Sequence, residues 1–511
     1  MKRLLPIVII FSAILGIQEC FACTGVYIGR KCSANGAAII ARSCDWSIGG
    51  NMPYLKLSEA VEGESGHYIN GINGFVWEFP ENTFRCITLP TPLCADSGPY
   101  GDFSINEKGV AFTSSVTGYF CKEASQADPW VTNGIAEETI TAAIGPVAGS
   151  AREAVELLAS LIDRYGHAEC NIVMAVDRNE AWYMEIYSGH QYCAVKMPDD
   201  AVAVFGNEFM LDTVDPRSGD VICSRELFSL PERNGFAVRD RDGRMNLRRT
   251  YMGDGRLYDF SHQRTWRGHQ LLSPSTSGDY DHSEYYPLFF KPDFKVDLAA
   301  VRRIFRDRYE GTQYYSEPEC RVIGDESQEE VHIIEVFDNR PGEMACVAWV
   351  CVSEAAHAPF VPLTVNATAL SPRYSYVAPD LQYDPNPAYT SFKRVNAICA
   401  LNREIFSKGV KKYWNMVETE VEEGFRKVYE EALRVYTSDP EKAAEILTGF
   451  ELKAQNDCVN GADRLFEEMM WHAMRYASGF HYGGNLVDLQ LIPKPVPEFV
   501  APEKPFNSQE K

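Results

Sequence analysis

Five residues have types and spacings suited to splitting an amide: Cys23, Arg42, Asp45, Asn207 and Arg264. Cys23 follows Ala22 where an apolar leader ends. A cut between them would leave a thiol and a free α-amine on one residue. A thiol must lose its proton before it attacks a carbonyl. An α-amine, with an unperturbed pKa of about 7.7–8.0, can take that proton near neutral pH, directly or through a water. Arg42 would favour the neutral amine and the thiolate, and Asp45 would orient the amine. Asn207 ends the apolar run in "VFGNEF" and is typed to donate to a tetrahedral oxyanion. Arg264, in "QRTWRGH", could grip a substrate carboxylate bidentately or stack on Trp266. Each residue alone has a plainer reading. Cys23 could be a disulfide or lipid-anchor cysteine, Arg42 and Asp45 a surface ion pair, Asn207 a turn residue. His190, in "YSGHQY", is a further candidate base, with a structural role as its plainer reading.

The leader itself is Met-Lys-Arg followed by "LLPIVIIFSAILGI". It is short for a bilayer span and contains Pro6, so residues 1–22 read as a cleaved signal peptide. Ala22 suits the −1 position and Cys20 is acceptable at −3. The expected location is outside the cytoplasm, periplasmic or extracellular. A lipoprotein anchor at Cys23 is the rival, weakened by Cys20 and Glu19 where a leucine-like residue is wanted; it would cap both sulfur and amine.

Elsewhere the composition is globular, with 45% hydrophobic and 23% charged residues. The net charge of −22 argues against nucleic acid and anionic membranes as partners. No later stretch is apolar enough to insert stably in a membrane. The chain has 15 cysteines, whose pairing cannot be read from spacing. No cysteine–histidine spacing resembles a zinc site, and HEXXH, GXSXG and a phosphate loop are absent. No cofactor or metal is expected.

Elements must carry the five residues together. "CTGVYIGRKC" and "GAAIIARSCDW" read as strands around an Asn35-Gly36 hairpin turn, which returns Arg42 and Asp45 towards Cys23. "FSINEKGVAFTSSVTGY" reads as a second hairpin turning at Asn106–Gly109. "GSAREAVELLASLIDRYG" reads as a helix capped by Ser150, with Glu153 completing a capping box and Gly166 ending it. Strand-like runs follow through "AVAVFGNEF". This order suggests layered sheets with helices outside. "RYSYVAPDLQYDPNPAY" reads as a boundary, after which the chain is helical, restarting at Asp439-Pro440. The last residues are Pro-rich.

"CTGVYIGRKCSANGAAIIARSCDW", "AREAVELLASLIDRYG", "VDRNEAWYMEIYSGHQYCAVKMPDD", "VFGNEF", "RTWRGHQLLSP" and "FRDRYEGT" occur in the order found in the dipeptidases of peptidase family C69, which the chain resembles over about residues 23–360. That resemblance implies an N-terminal nucleophile hydrolase: an α+β, αββα four-layer sandwich with a helical C-terminal extension. The expected division is residues 1–22 as signal peptide, 23–375 as catalytic domain, 376–485 as helical region and 486–511 as tail. The resemblance assigns Cys23 as nucleophile with its own amine as base, Arg42 and Asp45 as positioning groups, Asn207 as oxyanion donor and Arg264 as a further site residue. The implied reaction is dipeptide hydrolysis by a cysteine dipeptidase, with dipeptides as partners and a homo-oligomer possible. The alternatives are an N-acyl amide hydrolase of the penicillin or bile-salt acylase type, or a lipid-anchored surface protein without catalysis. The region "GVAFTSSVTG" has Ser114 and Ser115 where acylases have an Asn, which leaves the second oxyanion donor unassigned.

Overall fold

The computed structural model describes residues 23–46, 52–91, 101–117, 119–315, 320–380, 382–476, 480–481, 492–493 and 499–501. The expected leader, and most of the Pro-rich tail, lie outside the described residues.

Two antiparallel sheets dominate. One has six strands in the order β12-β1-β2-β14-β15-β16. They are β1 (Thr24–Ile28), β2 (Ala38–Asp45), β12 (Val202–Phe205), β14 (Gln328–Val336), β15 (Cys346–Cys351) and β16 (Val361–Leu363). The other has eight, β13-β11-β10-β9-β8-β7-β6-β3. It comprises β3 (Lys56–Ser58), β6 (Cys86–Pro90), β7 (Gly101–Asn106), β8 (Ala111–Val116), β9 (Asn171–Val176), β10 (Ala181–Ile186), β11 (Tyr192–Lys196) and β13 (Val221–Cys223). A small hairpin of β4 (Tyr68–Asn70) and β5 (Val76–Glu78) stands apart.

The period-2 alternation of the eight-stranded sheet explains how it is covered. Ile172, Met174 and Val176 of β9 face a core shared with Val26, Ile28 and Ile40 of the six-stranded sheet. Val173 and Ala175, between them, face Ile140, Ala143, Val155, Leu158 and Ile162. These last residues belong to helices α1 (Glu137–Ile144) and α2 (Ala151–Tyr165). The sheet is therefore buried on both faces, which is why β9 reads as a continuous apolar run from Ile172 to Val176. Ser150 Oγ caps α2 by accepting from Glu153 N at 3.1 Å. The Glu153 carboxylate accepts from Gly149 N at 2.9 Å, one residue earlier than a capping box requires.

The β7–β8 hairpin turns where the sequence predicts, with Gly109 at φ 79°. The first hairpin differs. β1 and β2 pair from Ile28↔Ile39 to Thr24↔Ser43, but residues 29–37 form a long loop rather than a two-residue turn at Asn35-Gly36. Tertiary bonds hold that loop: Gly29 N donates to Ala201 O at 3.0 Å and Ala34 N to Val296 O at 2.9 Å. β12 also leaves the run of strands that precedes it and joins β1 in the other sheet.

Helix α3 (Asp259–Leu272) lies on β12, and the helical region comprises α4 (Ala388–Leu401), α5 (Arg403–Tyr436) and α6 (Pro440–Tyr476), with α5 and α6 packed on β16. Asn402 breaks what the sequence suggests is one long helix. It ends α4 and its side chain caps α5 by accepting from Ile405 N at 3.2 Å. Phe499 packs against Phe406 and His472 of α5 and α6.

Candidate active site

Cys23 sits one residue before β1, the strand flanked by β12 and β2. Gly25 pairs with Phe205 on one side and Arg42 on the other. Two residues back along each ladder, Asn207 and Cys44 come level with Cys23. Cys23 is 2% exposed.

Arg42 Nη2 donates to Cys23 Sγ at 3.1 Å and to Glu137 Oε1 at 2.8 Å. Its Nη1 donates to Asp102 Oδ1 at 3.0 Å. Burial disfavours the Cys23 thiolate, but a hydrogen bond from Cys44, the Arg42 charge and the Arg42 hydrogen bond outweigh it and hold the thiol well below its ordinary value. The Cys44 thiol, sharing that hydrogen bond, is raised well above its own.

The backbone of Cys23 is held from the other side. Its nitrogen, a peptide nitrogen while Ala22 is attached, donates to Asn207 Oδ1 at 2.9 Å. Arg264 Nη1 donates to Cys23 O at 2.5 Å and to Thr24 Oγ1 at 3.1 Å. Arg264 Nη2 donates to Asn207 Oδ1 at 2.6 Å and to Ser261 Oγ at 3.3 Å, and Nε to Phe260 O at 3.1 Å. All five guanidinium protons are thus engaged within the protein. The bidentate grip on a substrate carboxylate, one option from sequence, has no donors left to make it. Asn207 Nδ2 donates to Val116 O at 2.7 Å, which uses one of its two protons.

Close approach makes this possible. A Cβ at Gly268 would lie 2.3 Å from Val204, and one at Gly206 would lie 2.6 Å from Ser261 O. Only glycines there let α3 lie against β12 with Arg264 over Cys23. Glu208 then ties the two together, accepting from Thr265 Oγ1 at 2.8 Å and lying 3.1 Å from His262 Nδ1.

Asp45 ends β2, and its carboxylate makes no hydrogen bond to Cys23 N among the described residues. Arg321 Nη2 donates to its Oδ2 at 2.7 Å, while Oδ1 is buried without a hydrogen bond. Burial pushes the carboxyl up to about 7 against the pull of Arg321. Arg321 is fixed in turn by Tyr309, whose hydroxyl donates to Arg321 O at 2.8 Å. Tyr309 belongs to "FRDRYEGT", where Asp307 also receives Arg267 of α3 through two 2.7 Å bonds. His190 lies 2.9 Å from Asp128 through its Nδ1 and has no contact with the Cys23 cluster among the described residues.

Glu137, Asp102, Cys44 and Arg321 complete the cluster, and sequence reasoning missed all four. Only the register offered a signal, for Cys44, since it stands beside Arg42 and Asp45 on a returning strand.

Comparison with known proteins gives the family. Residues 22–416 match peptidase family C69. A probable dipeptidase B of Streptococcus pyogenes serotype M1 is 27% identical over 476 residues, covering 88% of this chain and 91% of that protein. A probable dipeptidase of Salmonella dublin is 30% identical over 359 residues, covering 68% and 82%. Among solved structures, a variant of conjugated bile acid hydrolase from Clostridium perfringens covers 67% of this chain and 93% of its own, with a TM-score of 0.33 at 11% identity. The chain belongs to peptidase family C69.

Proposed function

We propose that the protein is an exported cysteine dipeptidase whose nucleophile is Cys23, made N-terminal by removal of residues 1–22, on an αββα N-terminal nucleophile hydrolase fold. One observation carries this reading: Arg42 grips the Cys23 sulfur while Asn207 and Arg264 grip the nitrogen and carbonyl of the same residue. A structural cysteine gives no reason for three buried polar side chains to converge on one residue's sulfur and backbone.

Cleavage turns the Cys23 peptide nitrogen into an amine with further protons. Asn207 Oδ1 keeps one of them, and Asp45 Oδ1 is the buried acceptor at the strand end for another. The thiol proton passes to the amine, and Arg42 stabilises the thiolate left behind. Sulfur attacks the dipeptide carbonyl, and the amine returns the proton to the leaving amino acid. Water then attacks the thioester, giving up a proton to the amine as the first amino acid departs and the thiolate re-forms. The second proton of Asn207 Nδ2 is the donor for the oxyanion.

Leader-free protein should release free amino acids from dipeptides, and Cys23→Ser should lose at least about 10³ in turnover because a hydroxyl is far harder to deprotonate than this thiol. A serine variant that kept most of the activity would place the nucleophile elsewhere.

A further inference from the structure

Three acidic groups share the single charge of Arg42: the Cys23 sulfur, Asp102 and Glu137. Burial raises both carboxyls, Asp102 to about 7 and Glu137 well above its usual range, against the opposing pull of Arg42. The buried acids outnumber the one cation they share. Glu169 adds to the imbalance by facing the same helix start, where its Oε1 accepts from Glu137 N at 2.9 Å. The two acids on Arg42 differ slightly in exposure, the Asp102 side chain at 1% and that of Glu137 at 6%.

Distance adds a second argument. Glu137 Oε1 and Cys23 Sγ both contact Arg42 Nη2, at 2.8 and 3.1 Å, which caps their separation at about 6 Å. In an acyl group bearing an α-amine, that nitrogen lies about 2.5 Å from the carbonyl carbon. The attacking sulfur starts about 3–3.5 Å from the same carbon. An ammonium between them and Glu137 falls at hydrogen-bond range of the carboxylate.

We propose that Glu137 binds the free α-ammonium of the substrate and so selects unblocked peptides over N-acylated ones. This deepens the dipeptidase reading and rests on it. The ammonium supplies a second positive charge beside Arg42 and fixes the scissile carbonyl over the sulfur. An acylated nitrogen has neither the charge nor the donors to replace it.

The test compares kcat/KM for alanyl-alanine and N-acetyl-alanyl-alanine in the wild type, Glu137→Gln and Glu137→Asp. A charged hydrogen bond of this kind corresponds to about 10- to 100-fold. Glu137→Gln should lower the free-to-acetylated ratio by that factor, chiefly through KM for the free peptide. Glu137→Asp, which keeps the charge one methylene further back, should fall between. Equal losses on both peptides, or an unchanged ratio in whichever variant folds, would mean that Glu137 acts only through Arg42 and would overturn the inference. Failure of the dipeptidase reading would show earlier and separately, in a wild type that prefers the acetylated peptide.

Discussion

Gly268 is where helix α3 meets strand β12, and Gly268→Ala tests whether that contact sets the site. The added methyl carbon would lie 2.3 Å from Val204 Cβ and Cγ1. Carbon atoms in contact settle at about 3.5–4.0 Å, so the helix must lift by about 1 Å. Two effects on stability oppose each other. Alanine gains about 0.8–1.0 kcal/mol over glycine inside a helix. Overpacking costs about 1–3 kcal/mol. The net loss is at most about 2 kcal/mol, and the protein should remain folded. Activity should suffer more. Arg264 lies one turn earlier on the same helix and holds both Cys23 O and Asn207 Oδ1. A displacement of about 1 Å at such a group costs about 10² in rate. The assay is kcat on a dipeptide, with calorimetric unfolding run on the same preparation. A variant with kcat within threefold of wild type would refute the claim that this close approach positions Arg264.

Other perturbations have signs fixed by the same contacts. Cys44→Ala removes a hydrogen bond that lowers the Cys23 pKa, so the acid limb of kcat/KM should move up by about one pH unit and Cys44→Ser should restore it; an unmoved limb would remove Cys44 from the site. Arg321→Gln takes away the charge that restrains the Asp45 carboxyl, so Asp45 should stay protonated to higher pH, with turnover down by about 10- to 100-fold at pH 7 and partly regained at pH 9; a uniform loss across pH would argue for a packing defect instead. Glu451 is fully buried and its carboxyl is pushed to about 8 by burial, against a hydrogen bond from Thr364 at 2.7 Å. Such a group binds a proton on folding, so its contribution is intact below its unfolded value near 4.3 and is lost as pH rises through about 8. Glu451→Gln should therefore match wild type at pH 4 and melt higher at pH 9; equal melting at both would show that Glu451 is not buried as an acid.

What the sequence shows and hides follows from where each residue finds its partner. The strands around Cys23 are legible because apolar alternation and β-branched residues are local signals. Helix α2 is legible for the same reason, with its cap, its apolar stripe and its terminal glycine all within the segment. Helix α3 has no such stripe. Ser261, Gln263, Arg264, Thr265, Arg267 and His269 are all buried beside Trp266, Leu271 and Leu272, so polar groups interrupt the apolar pattern. The loop after β1 misled for a related reason: Asn35-Gly36 has the residues of a tight turn, but bonds to Ala201 and Val296 stretch it. Glu137, Asp102 and Arg321 meet their partners across 95, 60 and 276 residues of chain. Nothing local distinguishes them from surface charges. Cys23, Arg42, Asp45 and Asn207 could be singled out because the end of an apolar N-terminal stretch, a returning strand and a strand terminus mark their positions.

The most direct measurement is the intact mass and N-terminal sequence of the purified active protein, read beside its dipeptide turnover. The account predicts a chain beginning at Cys23 with an unmodified amine, and no turnover in protein that still carries Ala22. Undiminished turnover from a chain that starts elsewhere, or whose Cys23 nitrogen is blocked, would contradict it.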